Sequence, residues 1–263
     1  MTRLLRAEIL KVRSLWSTWV LVGSAGLAAA AVGAIIAFAP HNRRDLAVLF
    51  PAQGTPKWFD AIFSSMSIAQ DLALVLGILA VTGEYRHKTV TSTYLAEPRR
   101  GRVVGAKLVV SAGSGALTAA SAALASLVLA LSLVWSGYGT FSAMWTEYGH
   151  VVPGVLLASM LFAVFGVGLG ALLRNQVVAL VVGLGFTAIV EPIIAGVLPG
   201  VGRYLPGQAA QALSSVTANA TGGGLGNRLV HLLPWWGGGL VLLGYGIALS
   251  VAGSMTTLRA DVT

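Results

Sequence analysis

Runs of about 20 apolar residues recur along this chain between short polar segments, and that recurrence decides the fold class. Wound as an α-helix, a run of that length crosses the ~30 Å hydrocarbon core of a bilayer. A backbone in lipid must satisfy its own hydrogen bonds, which leaves helices or closed barrels. The runs are continuous rather than alternating, so they select helices. Charge agrees. Only 10% of the 263 residues are Asp, Glu, Lys or Arg, and 56% are hydrophobic; a soluble domain carries about 25% charged residues. The expectation is an all-α integral membrane protein, one membrane domain spanning 1–263.

Six transmembrane spans are expected: roughly Ser17–Phe38, Ala61–Val81, one within Ala106–Trp135, Val152–Leu173, Val177–Val197 and Gly237–Thr257. Residues 2–15 read as a basic amphipathic helix lying in the membrane interface. Leu4, Leu5, Ile9, Val12 and Leu15 share a broad face, Arg6 and Arg13 fall opposite, and Glu8 interrupts the apolar side. Trp16 and Trp19 mark headgroup level. Ala37-Phe38-Ala39 resembles a signal-peptide cleavage site, but the run before it exceeds a signal's ~7–15 apolar residues, so a retained span is expected. Trp58 and Phe59 are expected at the interface that opens the second span. Gly166, Gly168 and Gly170 mark a packing surface on the fourth. Leu198–Pro234 holds Pro199, Pro206 and Gly222 to Gly224, with a short helix suggested by Ala209, Ala210, Ala212 and Leu213. Such a segment fits one that dips partway into the membrane while buried against protein.

Basic residues set the orientation. With both termini in the cytoplasm, twelve of the 17 Lys and Arg fall in inner segments; five (Arg43, Arg44, Lys57, Arg203, Arg228) fall outside. The net charge of +8 is explained by that asymmetry and gives no reason to invoke nucleic acid. The chain has no cysteine, which removes disulfides, thiol chemistry and cysteine-bound metals.

Catalytic and nucleotide motifs are missing. No GxxxxGK[ST] loop occurs; Gly101 to Lys107 has the wrong spacing and no following Ser or Thr. No HExxH occurs, and the four histidines are scattered. No metal, cofactor or enzymatic role is expected of this chain. Two acidic residues fall inside spans: Asp71 near the middle of the second, and Glu191, beside Pro192, toward the outer end of the fifth. Intramembrane carboxylates are costly and are candidates for a substrate path or proton relay. The bland alternatives are a helix–helix hydrogen bond for Asp71 and a water-reaching position for Glu191.

The one long polar, basic segment runs from Gly83-Glu84-Tyr85-Arg86-His87-Lys88-Thr89 to Pro98-Arg99-Arg100-Gly101-Arg102 and Lys107. As an ordinary inner loop it would touch anionic headgroups. That explains its charge but not its length or order. Glu84 and Lys88 stand at i,i+4, a stabilising helical pair; Thr89 to Thr93 is a weak helix former; Pro98 disfavours helix at Glu97. A short bent helix fits this order and suits a groove on a soluble partner.

GILAVTGEYRHKTVTSTYLAEPRRGRVVGAKL, Gly77 to Leu108, resembles the signature region of permease subunits of the ABC-2 type. LLRAEILKVRSLWSTWVL near the start, RYLPGQAAQAL from Arg203 to Leu213, and the closing RADVT are also similar to that family. Lys88 departs from it, since relatives often have glycine there. The resemblance implies a six-span exporter subunit in the cell's inner or plasma membrane. It would pair with a second permease chain, alike or related, and with two copies of a separate cytoplasmic ATPase that binds ATP and Mg. Glu84, Tyr85, Arg86, Thr89, Pro98 and Arg99 would dock that ATPase through a coupling helix, and short re-entrant helices before the last span would shape the outer gate. The other readings are a proton-coupled secondary transporter using Asp71 and Glu191, which would call for inverted repeats not evident here, and an intramembrane enzyme. Cargo is not legible.

Overall fold

The computed structural model describes residues 2–39, 51–87, 100–214 and 232–260, with side chains from residue 4 to residue 253 other than that of Arg100. The described residues are helical, with no strand. A basic helix, α1 (Thr2–Ser14), precedes the long α2 (Trp16–Phe38). The second span is built from α3 (Pro56–Ser64), a 3-10 turn (Ser65–Ser67) and α4 (Ile68–Arg86). Then come α5 (Arg100–Trp135) and α6 (Phe141–Leu173). The fifth span joins α7 (Gln176–Gly185), a π-turn (Phe186–Val190) and α8 (Glu191–Val197). Two short helices follow, α9 (Pro199–Gly202) and α10 (Pro206–Ser214), and α11 (Trp235–Ala260) closes the chain. Six of these helical segments are long and apolar enough to cross a membrane.

The second span starts at Pro56 rather than Ala61. Thr55 caps it by accepting from the Trp58 amide at 3.3 Å, and Pro56 takes the first helical position, where its missing N–H is no loss. Trp58 and Phe59 therefore fall in the first turn of the helix and are fully buried against the bundle. They join Phe63, Met66 and Met144 in the core near that end. The Phe59 ring leaves no space for a side chain at Gly139, where a Cβ would meet it at 2.9 Å in a backbone of φ +105°. Ser64 and Ser65 donate to the carbonyls of Ala61 and Ile62, both at 2.6 Å, so the buried 3-10 turn satisfies its own hydroxyls.

α6 is the hub: α3, α4, α5, α7, α10 and α11 all pack on it. Glycines make this possible, because in lipid helices associate by close packing rather than by hydrophobic exclusion. A Cβ at Gly77 of α4 would overlap the Ala163 carbonyl of α6, and one at Gly166 would overlap the Leu74 carbonyl of α4. Gly168 faces α11, with Leu249 Cβ at 2.7 Å from such a position. The expected packing surface on the fourth span thus serves two partners, one on each side. The fifth span is peripheral and exposes Val177, Val181, Ile193 and Val197, as a lipid-facing helix must.

α5 has 36 residues, about 54 Å at 1.5 Å per residue, so it outruns the ~30 Å core of a bilayer. Its basic beginning projects at the same end of the bundle as α1 and the ends of α4 and α6. Gly253 of α11 lies against Ala171 of α6 near that end as well. α1 and the part of α11 near Gly253 therefore lie toward the same end of the bundle.

Candidate functional site

At that basic end, four charged side chains from three helices meet. Lys107 of α5 donates to Glu84 Oε1 at 2.7 Å, to Glu8 Oε2 at 3.1 Å and to the Ala80 carbonyl at 3.3 Å. Its three donors are all used. Lys11 donates to Glu8 Oε1 at 2.9 Å and to Glu84 Oε1 at 2.7 Å. Two carboxylates and two ammonium groups balance, so the cluster is neutral although Glu8 is only 5% exposed and Lys107 6%. Burial pushes the Glu8 carboxyl up, but the Lys107 charge and hydrogen bonds from Lys11 and Lys107 outweigh it and hold the group below its ordinary value. Burial likewise works against the Lys11 charge, yet Glu84 and Glu8 prevail and raise it.

Glu8, the flaw in the apolar face of α1, thus fastens α1 to α5 through Lys107, while Lys11 fastens it to α4 through Glu84. Ile9 and Leu10 remain exposed beside it, as suits a helix resting on a membrane surface. Glu84 serves as the shared acceptor. Lys88, its expected helical partner, lies outside the described residues, as do Thr89, Pro98 and Arg99.

Tyr85 and Arg86, the next residues of the same turn, point elsewhere. With Thr82 they form one wall of a cleft of about 360 Å³, opposite Arg174, Asn175, Gln176 and Val177. Arg86 donates to Gln176 Oε1 at 3.3 Å. The opposite wall is the short polar turn between α6 and α7. Arg174 ends α6 in the left-handed conformation (φ 53°). Asn175 starts α7 by accepting from the Val177 and Val178 amides at 3.0 and 3.2 Å. Arg86 and Arg174 both line the cleft and give it a basic character.

Toward the opposite end a second charged locus lies within the membrane-spanning part. Pro192 has no amide hydrogen to continue an α-helix. The chain widens before it into the π-turn, where the Glu191 amide bonds to Phe186 O. The turn sends the Glu191 side chain inward, to 2% exposure, rather than toward water. Its Oε1 accepts from the Gln208 amide at 2.7 Å, and the Gly207 amide also bonds to the carboxyl. Both amides belong to the first turn of α10, whose unpaired N–H groups favour an anion. Glu191 is therefore a cap supplied from a distant span. α10 itself is buried against α6 and α11. Asp71, by contrast, is exposed on α4, with no hydrogen bond or ion pair to any described residue. The two carboxyl groups interact electrostatically, and Tyr245 of α11 interacts with Glu191.

The structure thus divides the expected docking residues: Glu84 turns into the ion cluster, while Tyr85 and Arg86 line the cleft. It brings Asp71 and Glu191 into one neighbourhood. Glu8, Lys11, Lys107 and Arg174 enter as site residues that sequence reading did not single out. Only the misplaced acid at position 8 gave a signal. A scan against protein-family models finds no match to this chain, and a search of curated proteins finds no relative.

Proposed function

We propose that this chain is the membrane subunit of an ATP-driven exporter of the ABC-2 type. In this reading it sits in the cell's inner or plasma membrane with both termini in the cytoplasm and pairs with a second permease chain. Two copies of a separate ATPase, which bind ATP and Mg, dock at the basic end. The observation that carries the reading is the anchorage of α4. Its last turn is tied by Glu84 to α1 and α5, and the helix runs unbroken from Arg86 back to Asp71. That stretch is about 22 Å long at 1.5 Å per residue. A push on residues 86–100 would therefore reach mid-membrane without being absorbed by a hinge. ATP-driven closure of the partner would act by shifting the population between two arrangements of the spans. The sequence resemblance from Gly77 to Leu108 supports the same assignment, as does α10, which suits a re-entrant element beside an outer gate.

The test is co-purification with an ATPase, followed by Arg86→Glu. Arg86 is exposed and holds one long bond to Gln176, so the variant should fold normally while losing ATP-dependent transport. Full ATP-dependent transport by Arg86→Glu would count against docking at this turn. Failure to find any ATPase partner would count against the exporter itself.

The electrostatic contact between Asp71 and Glu191 favours one other reading, a proton-coupled secondary transporter. Transport by the chain alone in liposomes, driven by a pH gradient and abolished by Asp71→Asn, would select it.

A further inference from the structure

The membrane-spanning part of this chain has negative charge and nothing of its own to answer it. No Lys or Arg occurs at positions 14–42, 58–85, 108–173, 175–202 or 229–258, so the basic residues of the spans stand near their ends only, Lys57 and Arg86 in the second and Arg102 and Lys107 in the third. Asp71 stands halfway along the second span, between Pro56 and Arg86, and faces out of the subunit without a hydrogen bond or ion pair to any described residue. Glu191, which interacts electrostatically with Asp71, is buried, with Oε1 committed to α10 and Oε2 without a hydrogen-bond partner among the described residues. A buried carboxylate oxygen with no donor, within electrostatic reach of an exposed carboxylate at mid-membrane depth, carries a cost that a proton or a visiting positive charge relieves. The surroundings define the rest of the visitor. Ile68, Leu72 and Val75 lie on the Asp71 side of α4 at helical spacing and are half-buried, so an apolar wall flanks the charge.

We propose that Asp71, backed by Glu191, forms a recognition site for a lipophilic organic cation. This rests on the exporter reading and names the class of its cargo. The cationic head pairs with Asp71, and the apolar body lies along α4. Glu191 adds negative potential while holding α10. The path thus selects against anions of the same size and apolarity, since the two carboxylates repel them in a poorly screened setting.

The experiment is equilibrium binding to the purified chain in nanodiscs, with rhodamine 6G as the cationic probe and an anionic xanthene dye of matching ring system as its counterpart. Wild type should bind the cation and not the anion. Asp71→Asn should weaken cation binding by about tenfold or more. Asp71→Glu, which keeps the charge, should retain it. Glu191→Gln keeps an acceptor for the Gln208 amide and removes only charge; it should also weaken binding, by less. Equal cation affinity in wild type and Asp71→Asn, or equal binding of the two dyes by wild type, overturns the proposal. Should Asp71→Asn fail to fold, the dye comparison in wild type and the Glu191→Gln titration still decide. Binding is read without ATPase, nucleotide or gradient, so a negative result here leaves the exporter reading standing. Conversely, loss of the exporter reading through failed co-purification would leave any measured cation site intact.

Discussion

Lys107 holds Glu84 at 2.7 Å although the basic segment separates them in sequence. The pair closes the base of that segment, so residues 87–100 begin and end on a fixed point. Removing one member of a buried ion pair leaves its partner charged and unanswered, which costs about 3–5 kcal/mol. Lys107→Met should therefore destabilise the chain by about 3 kcal/mol in unfolding titrations, since it leaves Glu8 and Glu84 with Lys11 alone between them. The double variant Glu8→Gln, Lys107→Met should recover part of that loss, and a double-mutant cycle measures the coupling. Additive effects of the two changes would show that the cluster does not act as a unit.

The same cluster fixes how attachment of α1 depends on pH. Glu8 has a folded-state pKa below its ordinary value, so its contribution is present above pH 4.5 and is lost as pH falls through the lowered value. Lys11 is shifted up, so its contribution is present below pH 10.5 and is lost as pH rises through the raised value. Between these limits the hold on α1 should be flat. Proteolysis after Lys11 and Arg13 should accelerate below about pH 4.5 in wild type. Glu8→Gln should lack this Glu8-dependent acid limb, and its cleavage should be faster throughout.

Backbone contact between α4 and α6 gives a different kind of sensitivity. Gly77→Ala places a methyl on the Ala163 carbonyl and should cost about 1–3 kcal/mol, as overpacking does. Gly113 of α5 is exposed and has nothing within 4 Å of a Cβ. Gly113→Ala should instead be neutral or stabilise by up to about 1 kcal/mol through helix propensity. Thermal midpoints of the two variants in one detergent compare them directly, and equal shifts would contradict the close approach.

Capping of α10 by Glu191 is separable from its charge. Glu191→Ala removes the acceptor for the Gln208 amide and should cost about 1 kcal/mol, with faster hydrogen exchange confined to α10. Glu191→Gln keeps an acceptor and should protect those amides nearly as well as wild type. Identical exchange in both variants would mean that water supplies the cap.

Sequence periodicity was enough for six spans, for the glycine face of the fourth and for the short helix at Ala209 to Leu213. All three are local properties: the length of an apolar run, the spacing of small residues, a proline-bounded stretch. What escaped depends on residues far apart in sequence. Glu8 looked like a defect in an amphipathic helix because its partner is 99 positions away. Glu191 was assigned either to a substrate path or to water, because nothing local says that an amide pair at Gly207 and Gln208 will come to meet it. Trp58 and Phe59 were placed at the interface because aromatic residues before an apolar run usually sit there. What that pattern did not tell is that both rings pack into the bundle from the first turn of a helix that starts at Pro56. Asp71 was put at mid-span correctly, but the hydrogen-bonded alternative for it finds no partner among the described residues.

The distance between Glu8 and Lys107 also sets an order of events in synthesis. A ribosome adding ~5–20 residues per second takes about 5–20 s to make the stretch between them. For that interval Glu8 has only Lys11 to answer it, while the first two spans, with Glu84, are already entering the membrane. α1 is thus made well before the residue that completes its attachment, and its final position is decided only when the third span arrives.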